Sequence, residues 1–162
     1  MDFDFDADLI LENDRSRLEP LTEAHFEALL PIALAHPDLL RYSPSPFGTE
    51  TSLKAYFGAA LMAKALEERY PFAIFDKQSG QYAGSTSFGN IADTHKRLEI
   101  GWTWLGPEWQ RTALNTQSKL LLLSHAFERL GCVRVEFKAD ARNQRSQRAL
   151  QRIGATREGV MR

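Results

Sequence analysis

The stretch with the most chemical content runs from Glu99 to Lys119: an alternating segment, LEIGWTWL, then the loop GPEWQRTALNT, then a helix. A strand that feeds a helix through a short loop makes an anion site, because the first helical amides lack partners and the positive end of the dipole points the same way. Phosphate or pyrophosphate suits such a place. The donors would be the backbone amides that follow Gln110, those of Arg111, Thr112, Ala113, Leu114, Asn115 and Thr116, with Arg111 and Lys119 adding positive charge. Alone the pattern is unspecific: most such joints bind nothing, and exposed Arg and Lys are ordinary surface residues. A second stretch, KADARNQRSQRALQRIGAT, ends another strand and opens a helix at Asn143 with Ser146 in its first turn. A hydroxyl there meets the dipole where negative charge can develop, although serine also favours helix starts for purely conformational reasons. In a regular strand Glu99, Gly101 and Thr103 share one face and Leu98, Ile100, Trp102 and Trp104 the other, so Glu99 is either a proton acceptor beside a cleft or a solvated or salt-bridged side chain.

The elements that must position these residues follow from periodicity. Leu9 to Leu18 reads as a strand with a polar interruption at Asn13-Asp14-Arg15. Thr22 caps a helix carrying Phe26, Leu29, Leu30, Ala33 and Leu34 at helical spacing. Pro37, Pro44, Pro46 and Gly48 mark an irregular segment, and Thr51 opens a second helix through Leu53, Tyr56, Phe57, Ala60 and Leu61. From Pro71 the period becomes two, and residues 72–75 and 82–88 read as a hairpin, followed by the strand 98–105. A long amphipathic helix ends at Gly131, Val133, Val135 and Phe137 restore a strand, and Asn143 caps a last helix that Gly154 closes. One further short strand fits at residues 155–160. The order predicts a single α/β domain with a mixed, mostly antiparallel sheet flanked by helices.

Composition narrows the function. Twenty Lys and Arg nearly balance 21 Asp and Glu over 162 residues, which argues against a protein whose task is to neutralise nucleic-acid phosphates. No apolar run approaches the roughly 20 residues that cross a bilayer, and the acidic MDFDFDAD start is unlike a basic targeting peptide, so a cytoplasmic protein without membrane association is expected. Cys132 stands alone, and His25, His36, His95 and His125 lack metal-ligand spacing, so no metal is expected. Arg142, Arg145, Arg148 and Arg152 recur at helical spacing as one exposed face.

The order of elements and the two motifs together resemble the GNAT superfamily of acetyltransferases over roughly residues 9–160, and especially the branch that contains the ribosomal-protein N-terminal acetyltransferases. In that family the loop reads Gln/Arg-x-x-Gly-x-Gly/Ala and holds the pyrophosphate of coenzyme A; here Ala113 and Asn115 stand at the glycine positions. The resemblance implies acetyl-coenzyme A as cosubstrate, with Trp104 and Leu105 at the end of their strand pairing with its pantetheine arm and offering one amide to the thioester oxygen. It implies Glu99 as general base and Asn143 as a cofactor contact. The family's Tyr on the last helix, which protonates the departing thiolate, is replaced by Leu150, leaving Ser146 as the available hydroxyl. Tyr42, Ser43 and Phe47 fall where the family shapes its amine pocket. Family members carry two strands after the last helix, whereas only one fits here before Arg162, so the strand pair looks incomplete. An open sheet edge favours association, a homodimer being the simplest case. The implied reaction is acetylation of a primary amine, a protein N-terminus foremost and a small polyamine-like or antibiotic-like amine next. A coenzyme A-binding or partner-binding module without turnover is the rival.

Overall fold

A computed structural model describes residues 1–45 and 47–162; Pro46, part of the irregular segment above, lies outside the described residues. The chain runs β1 (Leu11–Glu12), β2 (Ser16–Pro20), α1 (Phe26–Ala35), α2 (Glu50–Ala65), β3 (Arg69–Asp76), β4 (Gln81–Ala92), β5 (Arg97–Leu105), α3 (Ala113–Ser124), β6 (Arg134–Glu136) and α4 (Gln144–Arg152). The strands form one six-stranded sheet in the order β1 to β6, antiparallel throughout except for the parallel β5–β6 pair. The mixed, mostly antiparallel α/β architecture is the one the sequence predicts.

Three departures from the sequence reading have a local reason that the structure shows. The segment 9–18 is a tight hairpin rather than one interrupted strand, because the Asn13 side chain accepts from the amides of Arg15 and Ser16 and turns the chain. Thr49, not Thr51, caps α2: its hydroxyl accepts from the Ser52 amide while the Ser52 hydroxyl accepts from the Thr49 amide, a reciprocal cap. Residues 155–160 form no strand; the segment is mostly exposed and is tied to β6 through the Arg134–Glu158 ion pair rather than a ladder. None of the residues of α4 before it is buried, so the helix does not press the following backbone against the sheet edge.

Two apolar layers sandwich the sheet. On one face Leu18, Phe72, Phe88, Leu98, Ile100 and Leu105 pack with Leu114 and Leu122 of α3. On the other, Ala73 and Trp104 pack with Leu29 of α1 and Leu53, Tyr56 and Phe57 of α2. Leu98 and Trp104 are therefore on opposite faces, contrary to a regular alternation. The cause is a bulge: Trp102 has φ +51°, and the β4–β5 register slips between Ser85–Trp104 and Ser87–Gly101. One inserted residue reverses the facing of everything beyond it. Thr103 thus turns to the α3 face, away from Glu99, and the Trp102 ring lies over Gly89, where a Cβ would collide with it.

Candidate active site

The site begins as a parting of strands. β5 pairs with β6 only from Arg97–Arg134 to Glu99–Glu136, then continues to Leu105 with β4 on its inner side. Among the described residues no strand pairs with its outer edge from Gly101 to Leu105. Backbone polar groups of an antiparallel strand alternate sides, so it matters which residues face the opening. Trp104 turns its carbonyl to β4, against Gly84, and Gly106 donates to the Ala83 carbonyl at 2.8 Å. By alternation Thr103 and Leu105 face outward, and the Leu105 carbonyl indeed accepts from Gln110 Nε2 at 3.0 Å on that side. Of the two residues expected to offer an amide here, Leu105 is placed to do so. Trp104 is not: its ring is buried 5.0 Å from that of Phe47, on the α2 face, and its Nε1 finds no partner among the described residues.

The outer edge leads into the start of α3. Pro107–Trp109 make a single turn, Arg111 adopts φ +60°, and Thr112 caps the helix by accepting from the Leu114 amide at 3.3 Å while donating to the Trp109 carbonyl at 2.6 Å. The left-handed residue is therefore Arg111, whereas Ala113 and Asn115 are helical and need no glycine-like freedom. First-turn amides have no acceptor inside the helix, which leaves those of Ala113 and Asn115 available. Arg111, Thr112, Ala113 and Thr116 are exposed, so the helix entrance is open. A shallow hollow of about 680 Å³ adjoins it, lined in part by Arg15, Asp76, Trp109 and Thr112.

Lys119 is neither a surface residue nor a partner for phosphate at the helix entrance. It is 6% exposed, its Nζ donates to Thr103 Oγ1 at 2.7 Å, and it lies 5.8 Å from the centre of the Phe137 ring. Burial pulls its pKa down to about 7.

Glu99 sits on the opposite face, 5% exposed. Its Oε2 accepts from Asn90 Nδ2 and from Lys138 Nζ at 2.7 Å, and Oε1 extends over Gly101, 3.1 Å from where a Cβ would stand. One oxygen is thus fixed by two donors while the other is presented over a residue with no side chain. Across the parting, Asn143 caps α4 by accepting from the Ser146 amide at 3.1 Å. Gln110 ties the two sides, since its Oε1 accepts from Arg145 of α4 at 2.6 Å while its Nε2 holds Leu105. From the α1–α2 connection, half-buried Tyr42 lies under Arg142, 5.7 Å away, and Phe47 packs on Trp104; Ser43 is exposed and bonds to Ser45. Arg142 in turn pairs with Asp140, whose carboxyl it holds down at about 2.

Lys138, Asn90, Thr86 and Thr103 complete these arrangements and were not singled out in the sequence. Lys138 and Asn90 meet Glu99 only through strand pairing, and Thr103 meets Lys119 only through the bulge, so no spacing signals either contact. Among the described residues no group of three or more His, Cys, Asp or Glu side chains could hold a metal ion, and no helix is long and apolar enough to cross a membrane.

Comparison with known proteins bears on this geometry. Residues 15–156 match the family described as the acetyltransferase (GNAT) domain. The chain is 26% identical over 159 residues to YoaA of Bacillus subtilis (strain 168), described as an uncharacterized N-acetyltransferase, spanning 94% of this chain and 86% of YoaA. A structure from T. thermophilus, provisionally described as an acetyltransferase, is 39% identical with a TM-score of 0.83, covering 94% of this chain and 78% of its own. A GCN5-related N-acetyltransferase from Brucella melitensis is 27% identical with a TM-score of 0.87, covering 96% and 71% respectively. RimL, the ribosomal L7/L12 alpha-N-protein acetyltransferase, in complex with coenzyme A, shares the fold at 24% identity and a TM-score of 0.78, covering 94% and 87%. The family match takes in every strand but the two-residue β1 and every helix, and this chain belongs to the GNAT acetyltransferases.

Proposed function

We propose that this chain transfers the acetyl group of acetyl-coenzyme A to a primary amine by direct attack in a ternary complex, without a metal and without a covalent enzyme intermediate. The observation that carries the reading is the unpaired outer edge of β5, running into the free amides at the start of α3. An extended arm with amide groups matches that edge, and a pyrophosphate matches the helix entrance. When bound, acetyl-coenzyme A supplies a thioester whose carbonyl is open to an amine.

The chain's own residues then have distinct tasks. The outward amides of Thr103 and Leu105 line the edge where the thioester oxygen needs a donor. The amides of Ala113 and Asn115, with Gln110, Arg111, Thr112, Leu114 and Thr116 around them, hold the phosphates. Glu99 Oε1 receives the proton that an amine of pKa roughly 8 to 10 carries at neutral pH. Ser146 is the hydroxyl at the start of α4 that can donate a hydrogen bond to the departing sulfur, and Asn143 shapes that helix start. Tyr42, Ser43 and Phe47 border the acceptor side.

A polypeptide N-terminus is the leading acceptor, supported by the likeness to ribosomal-protein acetyltransferases, and a small amine is second. Leu150 at the Tyr position, together with the Lys138–Glu99 ion pair, favours one other reading, a coenzyme A-binding module without turnover. Calorimetry with acetyl-coenzyme A followed by free-thiol release with N-terminal peptides and small amines decides between them. Binding with release supports the transferase, binding without release supports the module, and absence of binding removes both.

A further inference from the structure

Lys119 has a cost that its contacts do not offset. An ammonium buried to this degree needs an acid or several strong acceptors, yet among the described residues its one hydrogen-bond acceptor is the neutral hydroxyl of Thr103, which shares a second hydrogen bond of 2.8 Å with Thr86 Oγ1. No carboxylate among the described residues lies within ion-pair distance. A leucine would fill the same space without the desolvation. The elements around the amine present Thr86 from β4, Thr103 from β5 and Phe137 beyond β6. His125, which follows α3, stacks on Phe88 on the α3 face, and the Glu99–Lys138 pair belongs to the other face. The Lys119 amine therefore lies between the two walls of the parting, bonded to Thr103 of β5 and 5.8 Å from the centre of the Phe137 ring beyond β6, on the side opposite Glu99.

We propose that Lys119 is the acid of the transfer, handing its proton to the coenzyme A sulfur as the thioester opens. The assignment rests on the acetyltransferase reading and adds to it a residue that reading does not use. The balance is simple. The amine nitrogen forms a bond to the carbonyl carbon, the carbon–sulfur bond breaks with its electron pair on sulfur, and a Lys119 N–H proton moves to that sulfur. The new amide nitrogen loses its surplus proton to Glu99, which before the attack has released to water the proton it took from the substrate ammonium, and the neutral Lys119 amine is reprotonated from water. The chemistry is matched. A thiol of ordinary pKa about 8.5 takes a proton readily from an ammonium lowered to about 7, whereas a serine hydroxyl gives one up only if another proton replaces it. Acid and base then act from opposite faces of the sheet, each on its own atom, sulfur for Lys119 and nitrogen for Glu99.

Two measurements test this. In the first, the Lys119 side chain is titrated by NMR in the wild-type protein with coenzyme A and with its desulfo analogue. With coenzyme A the ammonium and the thiol titrate as a coupled pair, so the Lys119 curve spreads over two steps, the second near the thiol's own range of about 8.5, whereas the desulfo analogue leaves a single step. Equal titrations with the two ligands overturn the proposal. In the second, Lys119→Met, unbranched and close in size, lowers kcat about 100-fold or more while acetyl-coenzyme A affinity stays within a few-fold. Wild-type kcat falls as pH rises through the Lys119 pKa and the variant loses that alkaline limb. A variant with full kcat overturns the proposal, and so does a wild-type kcat that only rises between about pH 6 and 9, a result that needs no variant to fold. A wild-type chain that binds coenzyme A but releases no thiol removes the transferase reading, while the NMR titration still decides whether Lys119 meets the sulfur.

Discussion

Replacing Glu99 by Gln separates chemistry from architecture at this site. The amide keeps the size and shape of the carboxylate, and its carbonyl can remain at the Oε2 position, accepting from Asn90 and Lys138. Its NH2 then occupies the Oε1 position over Gly101, so a donor stands where an acceptor was. The structural loss is confined to the charge facing Lys138, whose side chain is 48% exposed, and is worth about 0–1 kcal/mol. A melting shift of about 0–4 °C follows for a chain of this size. The catalytic loss is of another order: a positioned base contributes roughly 10²- to 10⁴-fold, or about 3–5 kcal/mol of barrier. The assay is thiol release from acetyl-coenzyme A with a responsive amine, measured from neutral to alkaline pH, beside calorimetric affinity. Cofactor affinity should hold, and the deficit relative to wild type at the same pH should narrow as the amine loses its own proton at roughly pH 8 to 10. A variant whose kcat at neutral pH stays within twofold of wild type refutes the assignment of Glu99 as base.

Ala113→Pro deletes one amide at the first helical position, where proline is tolerated and Thr112 (φ −105°, ψ 173°) already has the extended backbone that precedes it. Acetyl-coenzyme A affinity measured by calorimetry should fall about tenfold or more, as expected for one hydrogen bond to a charged group, and an unchanged affinity places the phosphates elsewhere. Ser146→Ala should slow thiol release if the hydroxyl assists the sulfur, by about 10-fold or more, with a stability loss of at most about 1 kcal/mol because Asn143 already supplies the cap; full turnover returns Ser146 to a helix-start role. Gly84→Ala puts a Cβ into the Trp104 carbonyl, and since ladder backbone cannot retreat cheaply, thermal unfolding should show a loss of about 1–3 kcal/mol or more; an unshifted melting curve contradicts the close approach of β4 to β5.

The order of elements was legible because apolar periodicity changes cleanly from helical to alternating near Pro71 and back after Leu105. The helix entrance was legible too, since a strand, a short loop and a capped helix leave a local signature. What escaped is non-local. Periodicity places Trp104 with Leu98 and Ile100, and only the slip against β4 puts its ring among α2 residues instead. Lys119 reads as one more charge on an amphipathic helix until Thr103 turns to meet it. Glu99 was found by its strand, but Asn90 and Lys138, which fix one of its oxygens, come from a neighbouring strand and from beyond β6. Ala113 and Asn115 stand at the glycine positions of the loop motif, yet both are helical, and the left-handed residue of the loop is Arg111, which no motif position marks.

The bulge at Trp102 makes chain length, more than residue identity, the quantity that β5 cannot alter. Exchanging the tryptophan for another residue keeps the count and leaves Thr103, Trp104 and Leu105 facing as they do. Deleting it shifts the remainder of the strand by half a pleat. Thr103 would turn from Lys119, the Trp104 indole would enter the α3 layer, and the Leu105 amide and carbonyl would swing from the open edge into the ladder with β4. A single missing codon could thus abolish the edge without removing any residue assigned a chemical task.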